Sequence, residues 1–310
     1  MGRHITPGQG TALLAIPLLV AAALATGPVI QVSREPGTYA SLSPNGNRLL
    51  FTRRADDRLQ LYVQDLSSGA ILQLTHGSAD HSAGAWALDG SRVVFQRDDS
   101  TGRDLWIVGA DGRGARNITN TPSIAEQHPR FADTAGSIVF DSNRDDRREF
   151  IERDSALQEN YEIYVMPAGD SVPIRLTAHG GWDMYGAPSP GFTHLAWRRA
   201  VPTGSRPPVD FDIFVKDQRT GEVWNMTRAP GHDANPSWSP NAQWIAFVSA
   251  RDGGTNVYVA RPDGSGLRQL TDGKGRDLAF SRPSFAPDGK SIVATRSRGG
   301  SSDIVRIIID

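Results

Sequence analysis

The chain has 310 residues, no cysteine, and 33 basic against 34 acidic side chains, for a formal net charge of −1 at neutral pH. The missing thiols exclude disulfides, thiolate metal sites and a lipid attached through a lipobox cysteine, and the balanced charge offers no field for nucleic acid or an anionic membrane surface. Apart from Lys216, Lys274 and Lys290 every basic residue is arginine, whose planar fork suits fixed pairing with carboxylates.

At the start, Arg3 leads into the apolar run Ala12 to Ala25, which ends in Ala23-Leu24-Ala25. A basic start, a short apolar run and small residues at its end read as a secretory signal peptide over residues 1–25. The run is shorter than the roughly 20 residues a membrane-spanning helix needs, and Pro17 interrupts it. The expectation is export to the periplasm or outside the cell, with no membrane insertion after cleavage. Residues 26–310 are then one folded domain.

From there on, an aliphatic–aromatic–Val step recurs six times, at Leu61-Tyr62-Val63, Leu105-Trp106-Ile107, Ile163-Tyr164-Val165, Ile213-Phe214-Val215, Val257-Tyr258-Val259 and the degenerate Ile304-Val305-Arg306. Each copy is led by a second β-prone element, such as Leu49-Leu50-Phe51 or Ile245-Ala246-Phe247. Upstream of that lies an aromatic or apolar residue and a turn, as in Trp86-Ala87-Leu88-Asp89-Gly90 and Trp238-Ser239-Pro240-Asn241. Five copies close on an apolar-Thr pair: Leu74-Thr75, Ile118-Thr119, Leu176-Thr177, Met226-Thr227 and Leu270-Thr271. Each unit therefore holds four short strands.

A four-stranded unit of about 45 residues cannot bury both faces alone, so its neighbours must stack on it, and a ring of six gives an all-β, six-bladed β-propeller. A β-sandwich or a two-domain all-β chain is the competing arrangement. The sixth unit stops after its third strand and leaves an edge that invites aggregation. Val29-Ile30-Gln31-Val32 is the available filler, and it is expected to complete the last blade as its outer strand and close the ring.

The segment Pro236-Ser237-Trp238-Ser239-Pro240-Asn241, with Ile245-Ala246-Phe247-Val248-Ser249-Ala250-Arg251-Asp252-Gly253, Val257-Tyr258-Val259 and Leu270-Thr271, resembles the WD-like repeat of TolB-type propellers. The resemblance covers residues 28–310 and implies the same ring. It lacks the N-terminal α/β domain of TolB, which puts a Tol-Pal role in doubt. The same repeat occurs in oligogalacturonate lyases and in propellers attached to prolyl-oligopeptidase-like hydrolases, so the resemblance does not fix an activity.

No Gly-x-Ser-x-Gly elbow, P-loop or His-Glu-x-x-His is present. Polar residues cluster instead where one unit leads into the next: Asp80 and His81, Gln127 and His128, Asp183, His232 and Asp233, and Asp277. If the register holds, His81, Gln127, His128, Asp183, His232, Asp233 and Asp277 surround one mouth of the channel as a ligand-binding set. A divalent cation there would fall to His81 and His128. In the lyases that the chain resembles, channel His and Gln side chains hold the metal, and His81, Gln127, His128 and His232 are the available counterparts. The alternative is that each polar side chain ties down its own connection.

Asp141-Ser142-Asn143-Arg144-Asp145-Asp146 with Glu152 has oxygen ligands at calcium-loop spacing, but Asp146 stands where the sharp turn wants glycine. It also aligns with the ordinary hairpin at Ser249–Gly253. The wide spacing in the third unit comes from an insertion between Arg147 and Asn160, a loop whose Arg147, Arg148, Glu149, Glu152 and Arg153 are candidates for partner contact. Val201 to Val209 extends the fourth unit in the same place.

The reading this supports is an exported, monomeric, non-catalytic scaffold with no cofactor, holding a protein or a cell-envelope polymer. Its rivals are a metal-dependent carbohydrate-active enzyme working at the channel mouth, and a structural accessory to an enzyme or transporter encoded beside it.

Overall fold

The computed structural model describes residues 28–33, 35–145, 160–179, 182–202, 209–274 and 277–309. The signal segment, the insertion residues Arg147, Arg148, Glu149, Glu152 and Arg153, and the calcium-like positions Asp146 and Glu152 lie outside them. Among the described residues there is no α-helix, and no helix is long and apolar enough to cross a membrane.

Six antiparallel sheets of four strands form the blades of a six-bladed propeller. The innermost strands are Thr38–Leu42, Asp80–Trp86, Glu126–Phe131, Asp183–Pro188, Asp233–Trp238 and Leu278–Phe285, in blades 1 to 6. The aliphatic–aromatic–Val steps form the third strands, and the leading β-prone elements form the second. In blade 4 those two strands run on to pair Pro202 with Val209, so the ends of the Val201–Val209 extension are ladder.

Strand Val29–Gln31 pairs with the last strand, Val29 opposite Ile307 and Gln31 opposite Val305. The Val32 amide continues the ladder to the Ile304 carbonyl at 2.9 Å, and Ser33 Oγ accepts the Ile304 amide at 3.1 Å. The two ends of the described chain thus complete blade 6 together, as the repeat count required.

The buried apolar residues fall into six clusters, each drawn from two adjacent blades. Between blades 4 and 5, for instance, Ala187, Ile213 and Met226 meet Trp238, Phe247 and Tyr258. The recurring aromatics are therefore the glue between blades. Trp238 Nε1 also donates to the Ala187 carbonyl of blade 4 at 2.9 Å, and Trp86 does the same to Ser41 of blade 1 at 3.3 Å. The recurring threonines have a separate role. In all five copies the hydroxyl accepts the amide of the residue that opens the aliphatic–aromatic–Val step, at 2.9–3.0 Å.

Candidate functional site

Every innermost strand breaks its ladder at one place, and the residue there has a positive φ: Tyr39, Ala83, His128, Tyr185, Asn235 and Arg282, with φ between 51° and 60°. Side chains other than glycine seldom take this conformation. A bulge that re-aims a residue is one of the settings in which they do. The next residue is small or proline in all six strands: Ala40, Gly84, Pro129, Gly186, Pro236 and Pro283. Gly186 shows why. A Cβ there would lie 2.9 Å from side-chain carbons of both Val139 and Ile163 in blade 3.

Four of the re-aimed side chains meet across the axis. Blades 1 and 4 stand opposite each other, and the Arg282 guanidinium of blade 6 lies 3.2 Å from the Tyr39 ring centroid and 5.8 Å from that of Tyr185. His128 stacks on Tyr185 with centroids 4.0 Å apart. Its Nδ1 is 2.7 Å from Oδ2 of the buried Asp141, which also accepts the Tyr185 amide. Arg198 reaches the same cluster, 4.7 Å from the Tyr185 ring and 4.3 Å from Phe211. The cluster plugs the channel midway.

Between this plug and the turns that join first to second strands is a cavity of about 510 Å³. Its floor includes Tyr39, His128, Arg130, Tyr185 and Arg282, and its walls include Trp86, Phe131, Trp238 and Phe285. In antiparallel blades those turns share one face, and the connections that lead from one blade to the next lie on the opposite face. Of the seven residues proposed from the sequence for a channel-mouth ligand site, only His128 lines the cavity.

The other six are not brought together. His81 is buried, with Nδ1 2.8 Å from Gln60 Oε1 and its ring edge-on to Phe95; burial, then the Arg97 charge, lower its pKa to about 4. Gln127 accepts Arg103 at 2.7 Å. Asp183 is gripped by both Nε and Nη2 of Arg199, at 2.8 and 2.6 Å, and Asp233 by Arg251 at 2.9 Å. His232 is exposed, stacked on Phe211, and 3.9 Å from Asp210. Asp277 is exposed and accepts the Gly299 amide at 3.0 Å. Among the described residues no three His, Asp or Glu side chains are grouped so as to hold a metal. His81, Gln127, Asp183 and Asp233 precede the bulge and point sideways into the seams between strands and blades, while His232 and Asp277 lie at the surface.

The seams repeat. Glu126–Arg144, Asp183–Arg199 and Asp233–Arg251 are the same acid–arginine pair in blades 3, 4 and 5. Each arginine also lies over the aromatic residues of its blade, as Arg251 does over Phe247 and Tyr258 at 5.5 and 5.2 Å. Asp252 accepts the Tyr258 hydroxyl, and Asp145 accepts that of Tyr164 at 2.7 Å. The calcium-like spacing around Asp145 thus contains a hairpin lock that blade 5 repeats.

Sequence reasoning passed over Tyr39, Arg130, Tyr185, Arg198, Asn235 and Arg282. A signal was available for the re-aimed residues, since each lies three positions before the apolar residue that opens the first turn, as Arg282 does before Phe285. Nothing in the sequence marks that position as a bulge.

The model of the TolB β-propeller domain matches residues 207–310. The TolB homologue of Chlorobium luteolum is 29% identical over 168 residues, which are 54% of this chain and 33% of that protein. The first relatives matched are all spanned over less than half of their own length. Among solved structures, TolB from Acinetobacter baumannii superposes with a TM-score of 0.65 at 20% identity, covering 83% of this chain and 57% of that one. An oligogalacturonate lyase in complex with manganese superposes at 0.54 and 13% identity, covering 91% and 90%. At these identities the solved structures share the fold alone. The repeat, the closed ring of six blades and the matched domain together make this chain a TolB-like six-bladed β-propeller.

Proposed function

We propose that the chain is an exported, non-catalytic scaffold that holds a protein partner at its central channel, on the face where the first turns gather. The observation that carries this reading is the preformed cavity on the axis, lined from the innermost strands of all six blades. A cavity of this size and convergence is the usual form of a binding site. Among the described residues His128 and Asp141 are the one close imidazole–carboxylate pair on the axis, and no serine or lysine side chain is hydrogen-bonded to that histidine. An envelope polymer fits the channel less well, because the indole N–H groups of Trp86 and Trp238 on its walls are already bonded to the backbone.

The test is capture from cell-envelope extract on immobilised residues 26–310. Three forms are compared: the parent, a channel variant with Ser41→Trp on the cavity wall, and a variant trimmed of residues 147–160. The expected result is a partner retained by the parent and the trimmed form and lost by the channel variant. Loss on trimming alone would move the site from the channel to the insertion, and capture unaffected by either change would remove the channel from the reading.

A further inference from the structure

The arginines around the channel differ from those in the seams. Arg103, Arg144, Arg175, Arg199, Arg251, Arg296 and Arg306 each hold a carboxylate. Arg130, Arg198 and Arg282, which converge on the channel from blades 3, 4 and 6, are not hydrogen-bonded to any carboxylate or backbone carbonyl among the described residues. Arg198 touches only the Met184 sulfur at 3.2 Å and two aromatic rings, and its Nε is buried without a partner.

The channel's own charges do not offset them. Asp141 is the carboxylate whose charge acts on Arg130, Arg198 and His128, and its oxygens are taken by His128 and by the amides of Tyr185 and Gly186. Burial lowers the pKa of His128 in spite of Asp141, and in neither protonation state does an imidazole carry the negative charge that would offset a guanidinium. Burial and the repulsion of Arg282 bring Arg130 down to about 10, which still leaves it protonated at neutral pH. Three guanidinium groups face one engaged carboxylate. Sequestering cations in this way without partners is costly, and the cost is offset when a bound anion supplies the missing acceptors.

We infer that the cavity floor is a carboxylate site, in which Arg130 and Arg282 take the acidic side chain or terminal carboxylate of an extended peptide segment entering from the turn face. The guanidinium fork matches a carboxylate with two parallel hydrogen bonds. Arg198 stands behind Tyr185 and sets the field. Above the floor the walls include Leu42, Trp86, Phe131, Trp238 and Phe285 with Ser41, Ser189, Ser237 and Ser284; the Ser189 hydroxyl accepts the His194 amide, that of Ser237 accepts the Phe285 amide, and that of Ser41 is buried. Such walls suit the apolar side chains flanking an acidic residue better than the hydroxyls of a sugar. This inference rests on the channel being the binding site and names what it binds.

The experiment measures binding of acetyl-Ala-Glu-Ala-amide, its neutral isostere acetyl-Ala-Gln-Ala-amide, inorganic phosphate and digalacturonate to residues 26–310, by NMR titration at low ionic strength. The expected result is at least about a tenfold preference for Glu over Gln, or 1.4 kcal/mol, lost in Arg282→Gln and restored in part by Arg282→Lys. Arg130→Gln should act alike, and Arg282→Gln by itself decides the test if that variant fails to fold. Equal affinity for the Glu and Gln peptides overturns the carboxylate site. Tighter binding of phosphate or digalacturonate than of the Glu peptide overturns the peptide assignment. Either result leaves the scaffold reading standing if the envelope partner is still lost from the Ser41→Trp form.

Discussion

If blade-to-blade packing holds the ring together, truncating one of its aromatics should cost far more than a single side chain's share of an ordinary surface. Trp238 gives the cleanest case. It is 8% exposed, lies in the cluster between blades 4 and 5, and its indole N–H donates to a carbonyl of the preceding blade, 2.9 Å from Ala187 O. Replacing a buried aromatic by alanine costs about 3–5 kcal/mol through lost burial and the cavity left behind, and the orphaned Ala187 carbonyl puts Trp238→Ala towards the upper end. Trp238→Phe keeps most of the apolar contact and loses the hydrogen bond, for about 1–2 kcal/mol. Urea denaturation followed by tryptophan fluorescence and by far-UV circular dichroism measures both, and a thermal scan should show the alanine variant melting roughly 10 °C below the parent. An alanine variant within 1 kcal/mol of the parent would refute the seam as the source of stability. Equal losses for alanine and phenylalanine would refute the role given to the inter-blade hydrogen bond.

Two further outcomes follow from the same geometry. Deleting residues 28–33 removes the strand that pairs with Val305–Ile307 and the Ser33 bond to Ile304; at about 1 kcal/mol net per hydrogen bond the loss is about 3–5 kcal/mol, and an unchanged denaturation curve would contradict closure by this strand. Glu162 is raised to about 7 by burial and then by the neighbouring Asp183 carboxylate. A carboxyl whose folded pKa lies above its unfolded value of 4.5 contributes stability that is complete below pH 4.5 and is lost as pH rises through 7. The stability curve should therefore fall by on the order of 1–3 kcal/mol between those values, and Glu162→Gln should flatten it. A variant that keeps the same slope would show that another group is responsible.

The repeat was readable in the residues because propeller packing writes itself locally. An aromatic in the third strand and a Thr that accepts an amide of that strand recur in the first five blades, and a turn follows the first strand in each. Counting them gave six blades, and the shortfall in the last unit pointed to Val29–Val32, which does complete blade 6. The acid–arginine pairs were legible only as a bias toward arginine. Asp183 and Asp233, read from their position as facing the channel, hold Arg199 and Arg251 in the seams instead.

The sequence by itself therefore determined the number of blades, their four strands and the closure of the ring, since these rest on local periodicity and on the need to bury a sheet edge. Only the tertiary structure decided which side chains face the axis. A single bulge in each innermost strand changes the parity of the strand, so that Tyr39, His128, Tyr185 and Arg282 turn inward while the polar residues just before them turn into the seams. The convergence of Arg130, Arg198 and Arg282 brings together residues from three blades. Pairing of that kind depends on closing the ring, and no window of the chain contains it.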